Sequence, residues 1–343
     1  MKKRILHTWI RRNQKYGRIL LGSIGMAGIF LLFLFYGRPK ADQTEVFRYT
    51  EQQESEKSFI KYAEFNVNYA ALCKAYEYDV ASYGEKIHLD WITLLSYAAA
   101  HTGGEFGDRA LSLMEDAAKQ LQSGVTKEKL IGDLKYYPYY EEVYAAVLGG
   151  MLGEFTWQRA DGGVEKKYGL TAFSPIAKGF DYSSYDDFGS SRSYGYSRPH
   201  LGHDMMGLVG TPIIAVEGGR VEALGWNQYG GWRIGIRSHD EKRYYYYAHL
   251  RQNRPYAQDL KEGDTVEAGE VIGYMGHTGY SSTENTNNIK VVHLHFGMEL
   301  VFDESQKESD NEIWIDCYAL TEFLKKNRSE VVRDDKTREW HKR

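Results

Sequence analysis

The alternation of apolar and polar positions changes character three times along the chain. Residues 19–37, ILLGSIGMAGIFLLFLFYG, carry no charge and match the ~20 residues that cross a bilayer core as a helix. Residues 38–56 are polar and predict a tether. From 57 to 160 apolar residues recur three and four apart, in FIKYAEFNVNYAALCKAYEYDV, DWITLLSYAAAHTG, DRALSLMEDAAKQLQSG and YEEVYAAVLGGMLGEF. That period predicts four helices in a small all-α domain. Gly103-Gly104 ends the second of them and Gly124 the third.

Beyond a Gly-rich hinge, DGGVEKKYGL, the period shortens. PIIAVEGGRVEALGW, WRIGIRS, RYYYYAHL, TVEAGEVIGYMG and HLHFGMEL read as short strands between glycine turns. They predict an antiparallel all-β domain over residues 165–325. Helical spacing returns in IWIDCYALTEFLKK, and residues 326–343 predict a charged, solvated tail. The fold class is therefore α+β: a transmembrane helix, a small all-α domain, then an all-β domain.

Charge gives the span a direction. Lys2, Lys3, Arg4, Arg11, Arg12, Lys15 and Arg18 precede it, whereas only Arg38 and Lys40 follow closely. This imbalance places residues 1–18 in the cytoplasm and the rest of the chain outside. The competing expectation, a cleaved signal peptide, calls for a shorter apolar core and a small-residue cleavage site, which FLFYGRPK does not offer. A net charge of −4 gives no basic face for nucleic acid. The two cysteines, Cys73 and Cys317, are too few for a disulfide scaffold. The 28 tyrosines suit either a surface that grips a polar polymer or a set of tyrosine-rich strands.

The candidate chemistry lies in histidines. His293 and His295 stand two apart in VVHLHFG, so in a strand both imidazoles share a face. In RPHLGHDMMG, Pro199, Gly202 and Gly207 argue against a helix. His200 and Asp204 then share a face, and His203 falls on the other. Two imidazoles and one carboxylate from these stretches would hold Zn²⁺ with an open fourth position, the arrangement of a catalytic rather than a structural zinc. His249 ends YYYYAH, on the face of Tyr245 and Tyr247 by parity. His88, His101 and Glu105 in the helical region stand in no motif that would make a site.

RPHLGHD, YYAHL, KEGDTVEAGEVIGYMGHTG and HLHF, with FGSSR upstream at 188–192, resemble in order and spacing the motifs of the M23 (LytM/lysostaphin-like) zinc metallopeptidases. The resemblance covers about residues 180–302 and implies cleavage of peptide bonds in bacterial cell-wall peptidoglycan. It further implies that His200, Asp204 and His295 hold zinc and that His249 and His293 are catalytic, one acting on water and the other on the oxyanion. The peptidoglycan peptides would be the substrate, the membrane would be met through residues 19–37, and the helical region could take a protein partner. This chain departs from the family in the extra stretch SSTENTNNIKVV between HTGY and HLHF, where Asn285, Asn287 and Asn288 could meet substrate. Two other readings compete. A non-catalytic wall- or partner-binding module that regulates other hydrolases would ordinarily have lost ligands, and here all five positions are kept. A carrier-like hairpin in VEAGEVIGYMG lacks a lysine at a matching turn.

Overall fold

The structure is a computed structural model and describes residues 59–343 apart from 160, 195 and 308. The predicted span and the whole of the tether lie outside the described residues. Among the described residues no helix is long and apolar enough to cross a membrane.

Among the described residues five helices come first: α1 (Tyr69–Ser82), α2 (Trp91–Thr102), α3 (Asp108–Gln122), α4 (Lys127–Ile131) and α5 (Tyr137–Leu148). The first begins ten residues later than its apolar period. Asn68 supplies the start, its Oδ1 accepting from the Ala71 amide at 2.9 Å. Asp90 caps α2 in the same way, accepting from the Thr93 amide at 2.7 Å. Gly103 ends α2 in the left-handed region at φ 68°, as its position in the sequence foretold. The short α4 was not expected, because KEKLI spans too few residues to show a period.

The Gly-rich stretch expected to be a hinge is instead the turn and return strand of a hairpin. β1 (Leu152–Gln158) pairs with β2 (Val164–Leu170) along its whole length, and the Gly162 amide closes the turn on the Arg159 carbonyl at 2.9 Å. The remaining strands follow as β3 (Ser183–Ser184), β4 (Ser191–Tyr194), β5 (Tyr196–Pro199), β6 (His203–Met206), β7 (Pro212–Ile214), β8 (Gly219–Asn227), β9 (Gly231–Ser238), β10 (Arg243–Ala248), β11 (Thr265–Val266), β12 (Val271–Tyr274), β13 (His293–Leu300), β14 (Ile313–Trp314), β15 (Val331–Arg333) and β16 (Trp340–Lys342). Eight of them form one antiparallel sheet in the order β11-β8-β9-β10-β13-β6-β3, with β14 added on β13.

One face of this sheet is apolar. Ile234, Ile236, Tyr245, Tyr247, Leu294, Phe296 and Met298 are fully buried, and Leu320 and Phe323 of α6 (Tyr318–Leu324) share their core. The helices join that core rather than forming a body of their own. Phe323 meets Tyr76 of α1 edge-on at 5.5 Å and Trp91 of α2 at 6.2 Å. Residues 59–343 accordingly form one compact unit, and the expected boundary near 160–165 marks a change of secondary structure inside it. The charged tail of 326–343 also docks. The Ser329 hydroxyl donates to the Gly269 carbonyl at 2.6 Å, and the buried Glu339 carboxylate accepts from Tyr274 and Arg254.

Candidate metal centre

β6 and β13 are neighbours, and their register sets Asp204 opposite His295. The polar face of the sheet therefore carries both. His200 arrives from the end of β5, and Gly202 lets the chain pass directly against the His295 ring. A Cβ at Gly202 would lie 2.6 Å from that ring, so a side chain there displaces it. His200 Nε2 lies 2.9 Å from Asp204 Oδ1 and 3.0 Å from His295 Nδ1, and His295 Nδ1 lies 3.0 Å from Asp204 Oδ1. His203 leaves on the opposite face, as the extended pattern predicts, and meets the Thr321 hydroxyl at 2.6 Å in the core. Burial there holds its pKa down to about 4.

Asp187 and Arg192 support the cluster from behind. His200 Nδ1 lies 3.1 Å from Asp187 Oδ1. Arg192 pairs with Asp187 and reaches Asp204 Oδ2 at 3.3 Å. A carboxylate against the rear nitrogen of an imidazole favours the tautomer whose front nitrogen carries a lone pair. Arg192 lay within the FGSSR motif, but its role did not show in the sequence. Asp187 carried no signal beyond being acidic and five residues away.

The donor set fits a small divalent cation. Three front atoms at 2.9–3.0 Å satisfy one another only in part, whereas a cation takes a lone pair from each. Tetrahedral bonds of ~2.0–2.1 Å to nitrogen and oxygen place ligand atoms about 3.3 Å apart, close to what is seen. Burial alone would push the Asp204 carboxyl up, but the His200 and His295 rings beside it outweigh burial and hold it well below the usual carboxylate range. Burial holds His295 below its ordinary value, against the pull of Asp204.

His293 and His249 border the cluster without joining its three-atom contact. His293 Nε2 stands 3.7 Å from Asp204 Oδ1, and its Nδ1 donates to the Val291 carbonyl at 2.8 Å. His249 Nδ1 donates to the Thr278 carbonyl at 2.9 Å. Its ring centroid is 4.7 Å from that of His293 and 5.9 Å from that of His295. Parity along β10 put His249 with Tyr245 and Tyr247, yet those two are in the core and His249 is not beside them. The strand ends at Ala248, and His249 adopts φ 62°, which turns its ring to the other face. Burial, then the neighbouring imidazoles, hold it well below its ordinary value and so neutral. The ring that parity does place beside the site is Tyr246, 5.9 Å from His295.

All five residues except the sheltered nitrogen side of His249 open on a groove of about 1210 Å³. The inserted loop meets this groove along one part only. Asn285 faces away, its Oδ1 accepting from Trp232 Nε1 at 2.9 Å and from the Asn253 amide at 2.8 Å. Asn287 donates to Gln252 and Asn288 to the Tyr280 carbonyl. Residues 288–291 line the groove.

Three side-chain donors with one open side, held on a sheet floor and flanked by two further histidines, are the features of a metal-dependent hydrolytic centre. Residues 198–309, about a third of the chain, match Peptidase family M23. The L-Ala–D-Glu endopeptidase of Bacillus subtilis is 40% identical over 124 residues, covering 36% of this chain and 36% of the relative. The glycyl-glycine endopeptidase ALE-1 of Staphylococcus capitis is 38% identical over 98 residues, covering 28% of this chain and 24% of the relative. The chain thus spans little more than a third, at most, of these relatives' lengths. A lytM structure from Ruminococcus gnavus superposes with a TM-score of 0.51 at 24% identity, covering 78% of this chain and 91% of that one. That share exceeds the β region, so the fold held in common includes helices.

Proposed function

We propose that this chain is a zinc-dependent endopeptidase that cleaves peptide bonds in bacterial peptidoglycan, held at the membrane by residues 19–37 with its peptidase region outside. The observation that carries this is the convergence of His200, Asp204 and His295 beside two histidines left free of that contact. The M23 match and the two endopeptidase relatives support the substrate class. Those relatives are named for different bonds, so similarity alone does not select one.

His200 Nε2, Asp204 Oδ1 and His295 Nδ1 would hold the zinc. Polarisation of a scissile carbonyl and acidification of water are the chemistry zinc supplies when bound. His293 commits its Nδ1 hydrogen to Val291, which leaves Nε2, beside the cluster, as the ring atom that can take a proton from attacking water. His249 is neutral with its Nδ1 hydrogen committed to Thr278, so its Nε2 also accepts a proton first. It stabilises a developing oxyanion only once it carries that proton. The uncharged run at 19–37, with seven basic residues before it, supports the anchor and its direction.

His293→Ala should keep its zinc and lose release of peptide fragments from purified wall by at least a hundredfold. Zinc lost together with activity would show that His293 is a ligand. For the anchor, a reporter fused after residue 343 should behave as extracytoplasmic; a protected C-terminus would overturn the orientation.

A further inference from the structure

The groove runs on past the histidines along the sheet floor. Alternate residues of a strand share a face, so Glu299 of β13 faces the same way as His293 and His295. Register extends the row sideways: Glu299 stands opposite Tyr244 of β10, Tyr244 opposite Arg237 of β9, and Trp314 of β14 flanks Glu299 on the other side. These four side chains all line the groove. Glu299 is four residues beyond His295, about 13 Å along an extended strand. An extended peptide crosses that distance in about four residues.

Two polar atoms in this row have no hydrogen-bond partner among the described residues. Glu299 is 4% exposed and its Oε1 makes no hydrogen bond; Arg237 is 3% exposed and its Nη1 makes none. The rest of the Arg237 fork is committed. Nε donates to Glu222 Oε2 at 2.7 Å, Nη2 reaches Glu222 Oε1 at 3.3 Å, and the guanidinium lies 4.8 Å from the Tyr244 ring centroid. Buried polar atoms without partners are costly and rare in a finished structure, and the side chains that carry these two line a groove shaped to take a chain. With the Glu299 carboxyl ionised, above about pH 7, one calls for a donor and the other for an acceptor. A ligand carboxylate would meet Glu299, and a ligand ammonium would meet Arg237. A neutral carboxamide offers both functions across one planar group.

We propose that this end of the groove is a subsite for a primary carboxamide of the wall peptide, about four residues from the bond that is cut. The amide oxygen accepts from Arg237 Nη1 and the amide nitrogen donates to Glu299 Oε1, with Tyr244 and Trp314 as walls. The identity of the polymer rests on the peptidase function proposed above; the polarity of the clamp does not.

The probe is the synthetic peptide L-Ala–γ-D-Glu–L-Lys–D-Ala–D-Ala, with each of its two free α-carboxylates converted in turn to a primary carboxamide. Titration calorimetry on the full chain carrying His293→Ala should show one amidated form binding at least tenfold more tightly than the unmodified peptide. Adding Glu299→Gln, which can donate as well as accept, should bring the acid and amide forms within about twofold. Adding Glu299→Leu should weaken the amide form to the level of the acid. Equal or tighter binding of the unmodified peptide, a preference unchanged by Glu299→Gln, or no binding of any of the three overturns the subsite. Melting curves for each variant show that it is folded. Amide preference without fragment release by the unsubstituted chain would instead sink the peptidase function and leave the subsite standing. Hydrolysis without amide preference would do the reverse.

Discussion

At the scale of single residues, conformations that the sequence does not encode by pattern decide the site. His249 reaches the centre only because it takes up the left-handed region, which costs a non-glycine residue ~1 kcal/mol or more. Its amide bond to the Gly230 carbonyl at 2.7 Å and its ring bond to Thr278 hold it there. Alternation along YYYYAH assigns the wrong face because alternation fails where a strand ends. Asp204 and His295 were legible, since both sit inside regular strands. Gly202 tests the close approach: Gly202→Ala should push the His295 ring aside and reduce zinc affinity at least tenfold in a competition titration, and unchanged affinity would show that the backbone can yield. Glu299 gives a pH test. Burial first, then Glu312, Glu222 and the opposing pull of Arg237 and Lys307 leave its carboxyl raised from 4.5 to about 7. A raised acid contributes its stability fully below the unfolded value and loses it as pH rises through the folded one. Glu299→Gln should therefore melt close to the parent at pH 4 and gain on it up to about pH 8, by roughly 3 kcal/mol. A difference that stays flat across that range would contradict the burial.

At the scale of elements, the strands and helices with a long period were readable, and the short or mixed ones were not. DGGVEKKYGL looked like a hinge because its exposed strand, with Lys166 and Lys167, has no apolar alternation to announce it. Residues 326–343 looked solvated because their anchors are few: the buried Glu339 and the buried Ser329 rather than an apolar stripe. The loop at 280–292 divides in two. Its first half is tied down through Asn285, whose left-handed φ of 60° asparagine tolerates well. Asn285→Ala should remove three hydrogen bonds and cost about 1–3 kcal/mol, seen as a lower melting temperature with zinc retained. The half along the groove should act on substrate instead. Lys290→Ala and Val291→Ala should leave zinc and melting unchanged and alter the ratio of cleavage rates among defined muropeptides. Identical ratios would make this half a connector too.

At the scale of the whole molecule, the helices and the sheet are joined by more than apolar contact. Arg243, 1% exposed, donates to Glu217 at 2.8 and 3.0 Å, to Asp240 at 2.9 Å and to the Ala146 carbonyl at the end of α5 at 2.7 Å. Such a junction is invisible in sequence, because nothing local separates a buried arginine on a strand from a surface one. Removing one member of a buried charge network leaves the others unpaired. Arg243→Ala should cost about 3–5 kcal/mol. In urea, the helical signal and tryptophan fluorescence should still fall together, because one core serves both layers; two separated transitions would show independent domains.

The centre itself is tested most directly by zinc content per purified chain, measured by mass spectrometry after exhaustive dialysis. The unsubstituted chain and His293→Ala should each hold about one zinc, the stoichiometry of a three-ligand site. His200→Ala and His295→Ala should each hold far less while melting as folded proteins, because the sheet beneath is held by its own core. Full zinc in both His200→Ala and His295→Ala, or none in the unsubstituted chain, would contradict the assignment of this cluster as the catalytic metal centre.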